Sequence, residues 1–336
     1  MSGGLDPPPF VSVVIVASGR TEYLHRSVGS ARDQDADRRT FEIVVVKDFP
    51  HPEIDSLVAE GTVVGVDLQG GPVGEYLARG VEAARGEVVS FLDDDDAFRP
   101  SKLSRVQAAF AADPGLVYFH NDLEICHDDN SRARGLLHSR SSRELLIEAN
   151  PARESQADRA FSRSLPINLS SVSIRRSLLL NGIGALRSIT GATDFFCFYR
   201  ALADESRLRF TAERLSTYYL HTSALRPSRL DDSAIGVFDR LCAAHLEVNA
   251  MGRELPERAG ARHVAESMLS EYEFLSAVLH PRSRSDLARR FAAFARASMR
   301  LRPRFVALAT PILLGAFISR RLSLSMLLIG RRIVQD

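Results

Sequence analysis

Residues Glu87 to Leu92 (EVVSFL) form a short apolar run that empties directly into four consecutive aspartates, Asp93 to Asp96. A run of this length suits a buried strand covered on both faces. It follows a helix-period stripe of Val73, Leu77, Val81 and Ala84. Adjacent carboxylates repel one another, so placing four of them at the end of a buried strand costs stability unless a cation compensates. Mg²⁺ or Mn²⁺, often shared with phosphate oxygens, has the matching oxygen-ligand chemistry. If the segment stays extended, Asp93 and Asp95 point the same way and face one ligand. The alternative is a solvated acidic loop, or a charge cluster in which Asp96 caps the next helix.

Two further runs, Val11 to Ala17 (VSVVIVA) and Phe41 to Val46 (FEIVVV), have the same character, and a shorter strand is expected at Thr62 to Val66. Ser18, Gly19 and Arg20 break the first run, and Thr21 is placed to cap a helix. After Gly70 and Gly71, Pro72 suits a first helical turn, and Gly86 stands where a left-handed C-cap is wanted. A helix over Ser101 to Ala112 and a strand at Leu116 to Phe119 continue the alternation. Strands alternating with helices predict an α/β fold, a mainly parallel sheet flanked by helices on both faces. Ligands bind such sheets beyond the carboxyl ends of the strands, where Asp48 and the aspartate cluster both fall. Cys126 to Leu165 is polar and reads as a variable insertion; Asn168 to Ile174 and a helix at Thr193 to Ala203 resume the pattern.

The formal net charge is +1 over 336 residues, which advertises no nucleic-acid partner. Cys126, Cys197 and Cys242 show no CxxC pairing, so neither a disulfide framework nor a zinc site is expected and a reducing, cytoplasmic setting fits. Residues 1–9 are Gly- and Pro-rich without a basic segment followed by an apolar one, as in a disordered lead-in rather than a signal peptide.

Taken together, Phe10 to Arg20, Phe41 to Asp48, Gly70 to Gly86 and Glu87 to Asp96 resemble, in order and spacing, the family 2 glycosyltransferases of the GT-A fold. The most specific part is AARGEVVSFLDDDDAF (Ala83 to Phe98), which is similar to that family's helix, strand and DxD signature. The resemblance implies a Rossmann-like GT-A domain over residues 10–230 and a role for each matching position. The first loop, Val16, Ala17, Ser18 and Arg20, would hold the nucleobase and ribose, with Gly71 in the third motif also on the nucleotide-sugar. Asp48 would contact the base, usually uracil. Asp93 would approach the ribose, Asp94 would take the variable middle place, and Asp95 would bind the Mn²⁺ or Mg²⁺ ion on the diphosphate. Ser170 to Leu202 resembles the acceptor-side segment and implies Asp194 as general base, opposed by a plain reading as helix N-cap. His221, in LSTYYLHTS, takes the place of a diphosphate or metal ligand. The sequence departs from the family pattern at Gly19, Lys47, Tyr76 to Ala78 and Thr193.

Residues 231–336 read as a helical C-terminal module. Arg282, Arg284, Arg289, Arg290, Arg296 and Arg300 precede the apolar stretch Phe305 to Ile318, and Leu322 to Ile329 is a second apolar run. Both are short for a membrane span. They suit either a helix lying in the interface of an anionic membrane, on its inner face, or a hairpin packed on the catalytic domain or a second copy of the chain. The implied activity is inverting transfer from a nucleoside-diphosphate sugar, UDP-linked by preference, to a glycan or lipid-linked acceptor. The competing readings are a catalytically degenerate nucleotide-sugar or glycan-binding protein and a nucleotidyltransferase.

Overall fold

The computed structural model describes residues 8–128, 144–220 and 232–318. Four strands, β1 (Val11–Ala17), β2 (Phe41–Lys47), β3 (Val64–Asp67) and β4 (Val88–Asp93), form a parallel block in the order β3-β2-β1-β4. The inner strands are apolar along their length because both faces are covered. Val13, Ile15, Ile43 and Val45 share a core with α1 (Leu24–Arg32), α2 (Pro52–Ala59) and α4 (Lys102–Ala112). Val14, Val44, Val46 and Phe91 face the other way, toward α3 (Val73–Ala83). Register decides what happens at the edge. Val16 lies opposite both Val46 and Asp93, and Ala17 opposite Lys47, so three strands end level.

The other half of the sheet is mixed rather than parallel throughout. It comprises β5 (Ala97–Phe98), β6 (Leu116–His127), β7 (Leu145–Ile147), β8 (Val172–Arg175) and β9 (Arg207–Leu220). β8 runs antiparallel between β4 and β6, β6 and β9 are parallel, and β5 and β7 flank β9 antiparallel. The strand expected to stop at Phe119 continues to His127, because β9 runs alongside it as far as Leu220 and pairs its backbone. Within the expected insertion, β7 and α5 (Arg153–Ser162) are regular; residues 129–143 lie outside the described part, as do residues 1–7 of the lead-in.

Three local expectations change. The helix after β1 starts at Leu24 with Tyr23 as N-cap, so Thr21 caps nothing. β3 begins at Val64 rather than Thr62. Gly86 is not left-handed, and α3 ends at Ala83. Gly86 is required by close approach instead: a Cβ there would lie 2.6 Å from the Ser12 nitrogen. Its N–H donates to Ser12 Oγ (2.8 Å), and Ser12 Oγ donates to the buried Glu42 carboxylate (2.7 Å).

Short helices α6 (Arg176–Leu180) and α7 (Ile183–Ser188) lead to α8 (Thr193–Ala203). Among the described residues four helices follow: α9 (Asp232–Arg253), α10 (Arg262–Leu279), α11 (Arg284–Ser298) and α12 (Pro303–Ile318). α10 is apolar on two sides. Val264, Ala265 and Met268 join the core that contains Val14 and Phe91, while Phe274, Val278 and Leu279 pack with Phe294 of α11 and Val306 and Ile312 of α12. Among the described residues, no helix is long and apolar enough to cross a membrane. The second apolar run, Leu322 to Ile329, lies outside the described residues.

Candidate active site

The level strand ends place Ser18, Asp48 and Asp93 on one edge. Gly19 has φ +68°, a conformation open to glycine at little cost, and its N–H donates to Asp48 Oδ1 (3.0 Å). Ser18 Oγ and Tyr76 Oη each donate to Asp48 Oδ2 at 2.8 Å. Partial burial pushes the Asp48 carboxyl up, but the Gly19, Ser18 and Tyr76 hydrogen bonds outweigh it and hold the group below its ordinary value. Gly71 lies in the turn between β3 and α3. Tyr76 belongs to α3 and had no predicted role; its apolar surroundings concealed a polar tip.

The aspartate cluster does not stay extended. β4 ends at Asp93, Asp94 and Asp95 form a turn, and the Asp96 N–H donates to the Asp93 carbonyl (3.2 Å). The alternation expected for a strand is therefore lost, and the carboxylates diverge. Arg20 Nε and Nη2 donate to the two Asp94 oxygens (3.0 and 2.6 Å), and Nη2 also reaches Asp95. Burial opposes the Arg20 charge, but these carboxylates outweigh it and raise its pKa. Asp94 is nonetheless raised, because burial outweighs Arg20. Arg26 supports the turn by donating to the Asp95 carbonyl (2.8 Å), its guanidinium 3.7 Å from the Tyr219 ring centre.

Asp93 and Asp96 point toward the middle of the sheet. Asp96 is buried, accepting from Ser170 Oγ (2.6 Å), Asn168 Nδ2 (3.1 Å) and the Tyr219 N–H (3.4 Å), so it caps no helix. Burial, with the Asp95 charge adding to it, pushes its carboxyl up to about 7. Asp93 is held well above the usual carboxylate range, first by burial and then by the charges of Asp96, Asp95, Asp94 and Asp194. Behind them runs a buried polar chain. Lys102 Nζ donates to Asn121 Oδ1, Asn121 Nδ2 to Ser216 Oγ (3.1 Å), and Ser216 Oγ to the Ser170 carbonyl (2.7 Å). Burial without a carboxylate partner brings the Lys102 ammonium down to about 7. Neither Asn168 nor Lys102 had a predicted role, and Ser170 stood only as the first residue of the acceptor-side segment.

Asp194 stands in the first turn of α8, with one oxygen accepting from the Asn168 N–H (3.0 Å) and the other from the Phe195 N–H (2.9 Å). Ala192 holds the N-cap position, but Asp194 still satisfies a first-turn N–H, so the capping reading accounts for that contact. Asp93 and Asp194 line one cavity of about 390 Å³, whose walls include Ile125, Asn168, Phe195 and, from the C-terminal helices, His245 and Tyr272. His221 lies outside the described residues.

The aspartate turn offers hard oxygen donors at the rim of this edge, which is the donor set a divalent ion shared with a diphosphate takes. Among the described residues, no group of three or more His, Cys, Asp or Glu side chains is arranged to hold a metal on its own. Asp94 and Asp95 are instead paired with Arg20.

The family model of Glycosyl transferase family 2 matches residues 12–179, half of the 336 residues. Over 107 residues the chain is 34% identical to the succinoglycan biosynthesis protein ExoO of Rhizobium meliloti (strain 1021), a match that spans 30% of this chain and 30% of that relative's length. Among solved structures, S. aureus TarS 1–349 in complex with UDP-GlcNAc aligns over 96% of this chain and 90% of that one, with a TM-score of 0.56 at 15% identity. The mannosyltransferase PcManGT from Pyrobaculum calidifontis, in complex with GDP-Man and Mn²⁺, aligns over 97% and 87% with a TM-score of 0.52 at 16% identity. At such identities the likeness speaks for the shared GT-A fold. The family match runs from β1 to α6 and takes in all three level strand ends; the chain belongs to glycosyl transferase family 2.

Proposed function

We propose that this chain moves a sugar from a nucleoside-diphosphate sugar, UDP-linked by preference, to an acceptor hydroxyl in one inverting displacement. The observation that carries it is that one cavity is lined by both Asp93 and Asp194; on this reading Asp93 faces the diphosphate and Asp194 the acceptor. Val16, Ala17, Ser18, Arg20, Asp48, Gly71, Asp93 and Asp94 are the nucleotide-sugar residues of this reading. Asp48 is held ionised, ready to accept from a base or ribose N–H or O–H. A Mn²⁺ or Mg²⁺ ion bound at Asp95 would neutralise charge on the departing diphosphate. Asp194 takes the proton from the acceptor hydroxyl as that oxygen bonds to the anomeric carbon. The bond from that carbon to the phosphate oxygen breaks, and its electron pair leaves with the nucleoside diphosphate. Two backbone N–H donors fix the orientation of Asp194 for this transfer.

The named ligands of the structural neighbours support a nucleotide-sugar donor, and the relative named for succinoglycan biosynthesis supports a polysaccharide, glycolipid or glycoconjugate product. Residues 10–230 would carry the chemistry, and residues 231–336 would shape the acceptor wall. A place at the inner face of the membrane belongs to the same reading: α11 carries Arg284, Arg289, Arg290 and Arg296, and Met299 and Leu314 are exposed. Sedimentation with anionic vesicles tests it, and no enrichment over neutral vesicles removes it. The nucleotidyltransferase reading wants a Gly-rich basic phosphate loop near the N-terminus, of which VASGRTEY is a poor version. The Arg20 pairing with Asp94 and Asp95 bears on the favoured reading. The same contact favours the degenerate reading as the second choice, since Arg20 holds the carboxylate a metal would need. UDP- and GDP-sugar hydrolysis without acceptor, with and without Mn²⁺, separates the two. Turnover that Asp95→Ala abolishes supports transfer; nucleotide binding with no turnover under any donor overturns it.

A further inference from the structure

Asn168 touches both aspartate groups of the site. β8 runs antiparallel to β4 with Ser173 opposite Ser90, so the residues ahead of β8 pass the end of β4. There the Asp93 N–H donates to Ser170 Oγ (3.0 Å), and Ser170 Oγ donates to Asp96 Oδ2 (2.6 Å). Asn168 Nδ2 donates to the same Asp96 oxygen (3.1 Å), while the Asn168 backbone N–H donates to Asp194 Oδ2 (3.0 Å). We propose that Asn168 is a positioning residue that fixes the Asp194 carboxylate relative to the aspartate turn, holding one with its backbone and the other with its side chain. This role presupposes that Asp194 is the general base and that the turn from Asp93 to Asp96 forms the diphosphate side.

The backbone at Asn168 is strained. Its φ is +86° and its ψ +117°, a combination outside the regions L-residues ordinarily adopt. Asparagine visits the left-handed helical region, but there ψ lies near about +47°. A residue so placed persists only where its surroundings over-determine it, and such residues cluster at active sites. Every polar group of Asn168 is engaged. Besides its two donations, Oδ1 accepts from Ser171 Oγ (3.2 Å) and the carbonyl accepts from the Ser171 N–H (3.3 Å). A turn needed only to redirect the chain would carry glycine, which takes positive φ without a Cβ penalty. Asparagine adds what glycine lacks, an amide that reaches Asp96. Ala192, two residues before Asp194, is left-handed as well (φ +50°, ψ +38°), so unusual backbone flanks the base on a second side.

The carboxylate has a built-in reporter. Among the partners of Asp194 are the Asn168 and Phe195 N–H groups. The Phe195 N–H lies in the first turn of α8, where N–H groups lack a carbonyl partner in their own helix. Its protection from solvent exchange therefore follows the placement of the carboxylate. Removing the Asn168 side chain frees residue 168 from Asp96, and its N–H no longer holds Asp194 in a fixed direction.

The test compares the full-length wild type with Asn168→Gly and Asn168→Ala. Glycine accepts the backbone conformation and loses only the side-chain links; alanine loses them and keeps the strain. Asn168→Gly is expected to fold with a Tm near that of the wild type, and Asn168→Ala to melt below it. In Asn168→Gly the Phe195 amide, followed by NMR, is expected to exchange about tenfold faster. Its kcat for sugar transfer is expected to fall about tenfold while the donor KM changes less than about twofold. Unchanged Phe195 exchange, or unchanged kcat in an active enzyme, overturns the proposal. So does a raised KM at constant kcat, which would put Asn168 on the donor, and so does failure of Asn168→Gly to fold, which would make the residue a stability element. The exchange measurement needs no turnover. Absence of transfer in the wild type sinks the transferase reading instead, and the exchange result then decides by itself whether Asn168 positions Asp194.

Discussion

The edge formed by β1, β2 and β4 gathers Ser18, Asp48 and Asp93 to Asp96 from strand ends that share one register, whereas the cavity beyond Asp194 draws on β6, α5, α8, β9, α9, α10 and Arg302, spread over the chain from Leu123 to Arg302. The first region is short-range in construction: each polar group ends its strand or follows it within three residues, and parallel pairing sets the groups side by side. The second is assembled by packing alone. The difference teaches that a site can have one half written in local motifs and the other half in the choice of which helices meet. On the proposed reading, donor binding belongs to the first half and acceptor choice to the second.

The sharpest way to break this division is Asp194→Asn. Loss of the proton acceptor is expected to lower kcat by on the order of 10²–10⁴-fold, with UDP binding retained. Sugar transfer and UDP affinity, measured side by side, check it; if UDP affinity falls in step with kcat, the two halves are not separable. Next in size, Asp48→Ala strips three donors of their common acceptor and is expected to raise the KM for donor sugar about 10–100-fold. An unchanged KM would remove Asp48 from the nucleotide side.

A stability effect comes third. In Gly86→Ala the new methyl would press on Ser12, and a loss of about 1–3 kcal/mol is expected from urea unfolding, with kcat per folded molecule unchanged. Wild-type stability would show that β1 and the β4 entry can move apart.

The smallest effect concerns the link between α5 and α10, where His263 Nδ1 lies 3.0 Å from Asp158 and 3.7 Å from Glu154. The hydrogen bond to Asp158 outweighs burial and raises the His263 pKa above its ordinary 6.5. Its stabilisation is then full below pH 6.5 and is lost as pH rises through the raised value. The side chain is 44% exposed, so solvent screening keeps the contribution small. The Tm gap between wild type and His263→Gln should shrink with rising pH; a gap independent of pH contradicts the ion pair.

How much of this was legible follows from the range of the interactions involved. The runs VSVVIVA, FEIVVV and EVVSFL announce buried strands because a strand covered on both faces must be apolar at successive positions, and each observed strand overlaps its run. Asp48 and Asp93 to Asp96 were visible because polar groups directly after such runs stand at the ligand edge; Asp194 was reached only through the family resemblance. The orientation of Asp93 to Asp96 was not visible. An extended DDDD would have aimed Asp93 and Asp95 together, but the turn closed by Asp96 N–H and Asp93 carbonyl sends Asp95 to Arg20 and leaves Asp93 facing the cavity with Asp194.

Local chemistry, then, settled the α/β order, the strand ends and the acidic character of the edge, since each depends on side chains a few residues apart. Tertiary structure decided the rest: that β8 enters antiparallel, that Ser170 and Asn168 hold Asp96, and that Tyr272 and Arg302 wall the cavity. The contacts of Asp96 with Asn168 and Ser170 join residues 72 and 74 positions apart. They exist only because one packing of the helices buries more apolar surface than its competitors, a comparison no local window of sequence contains.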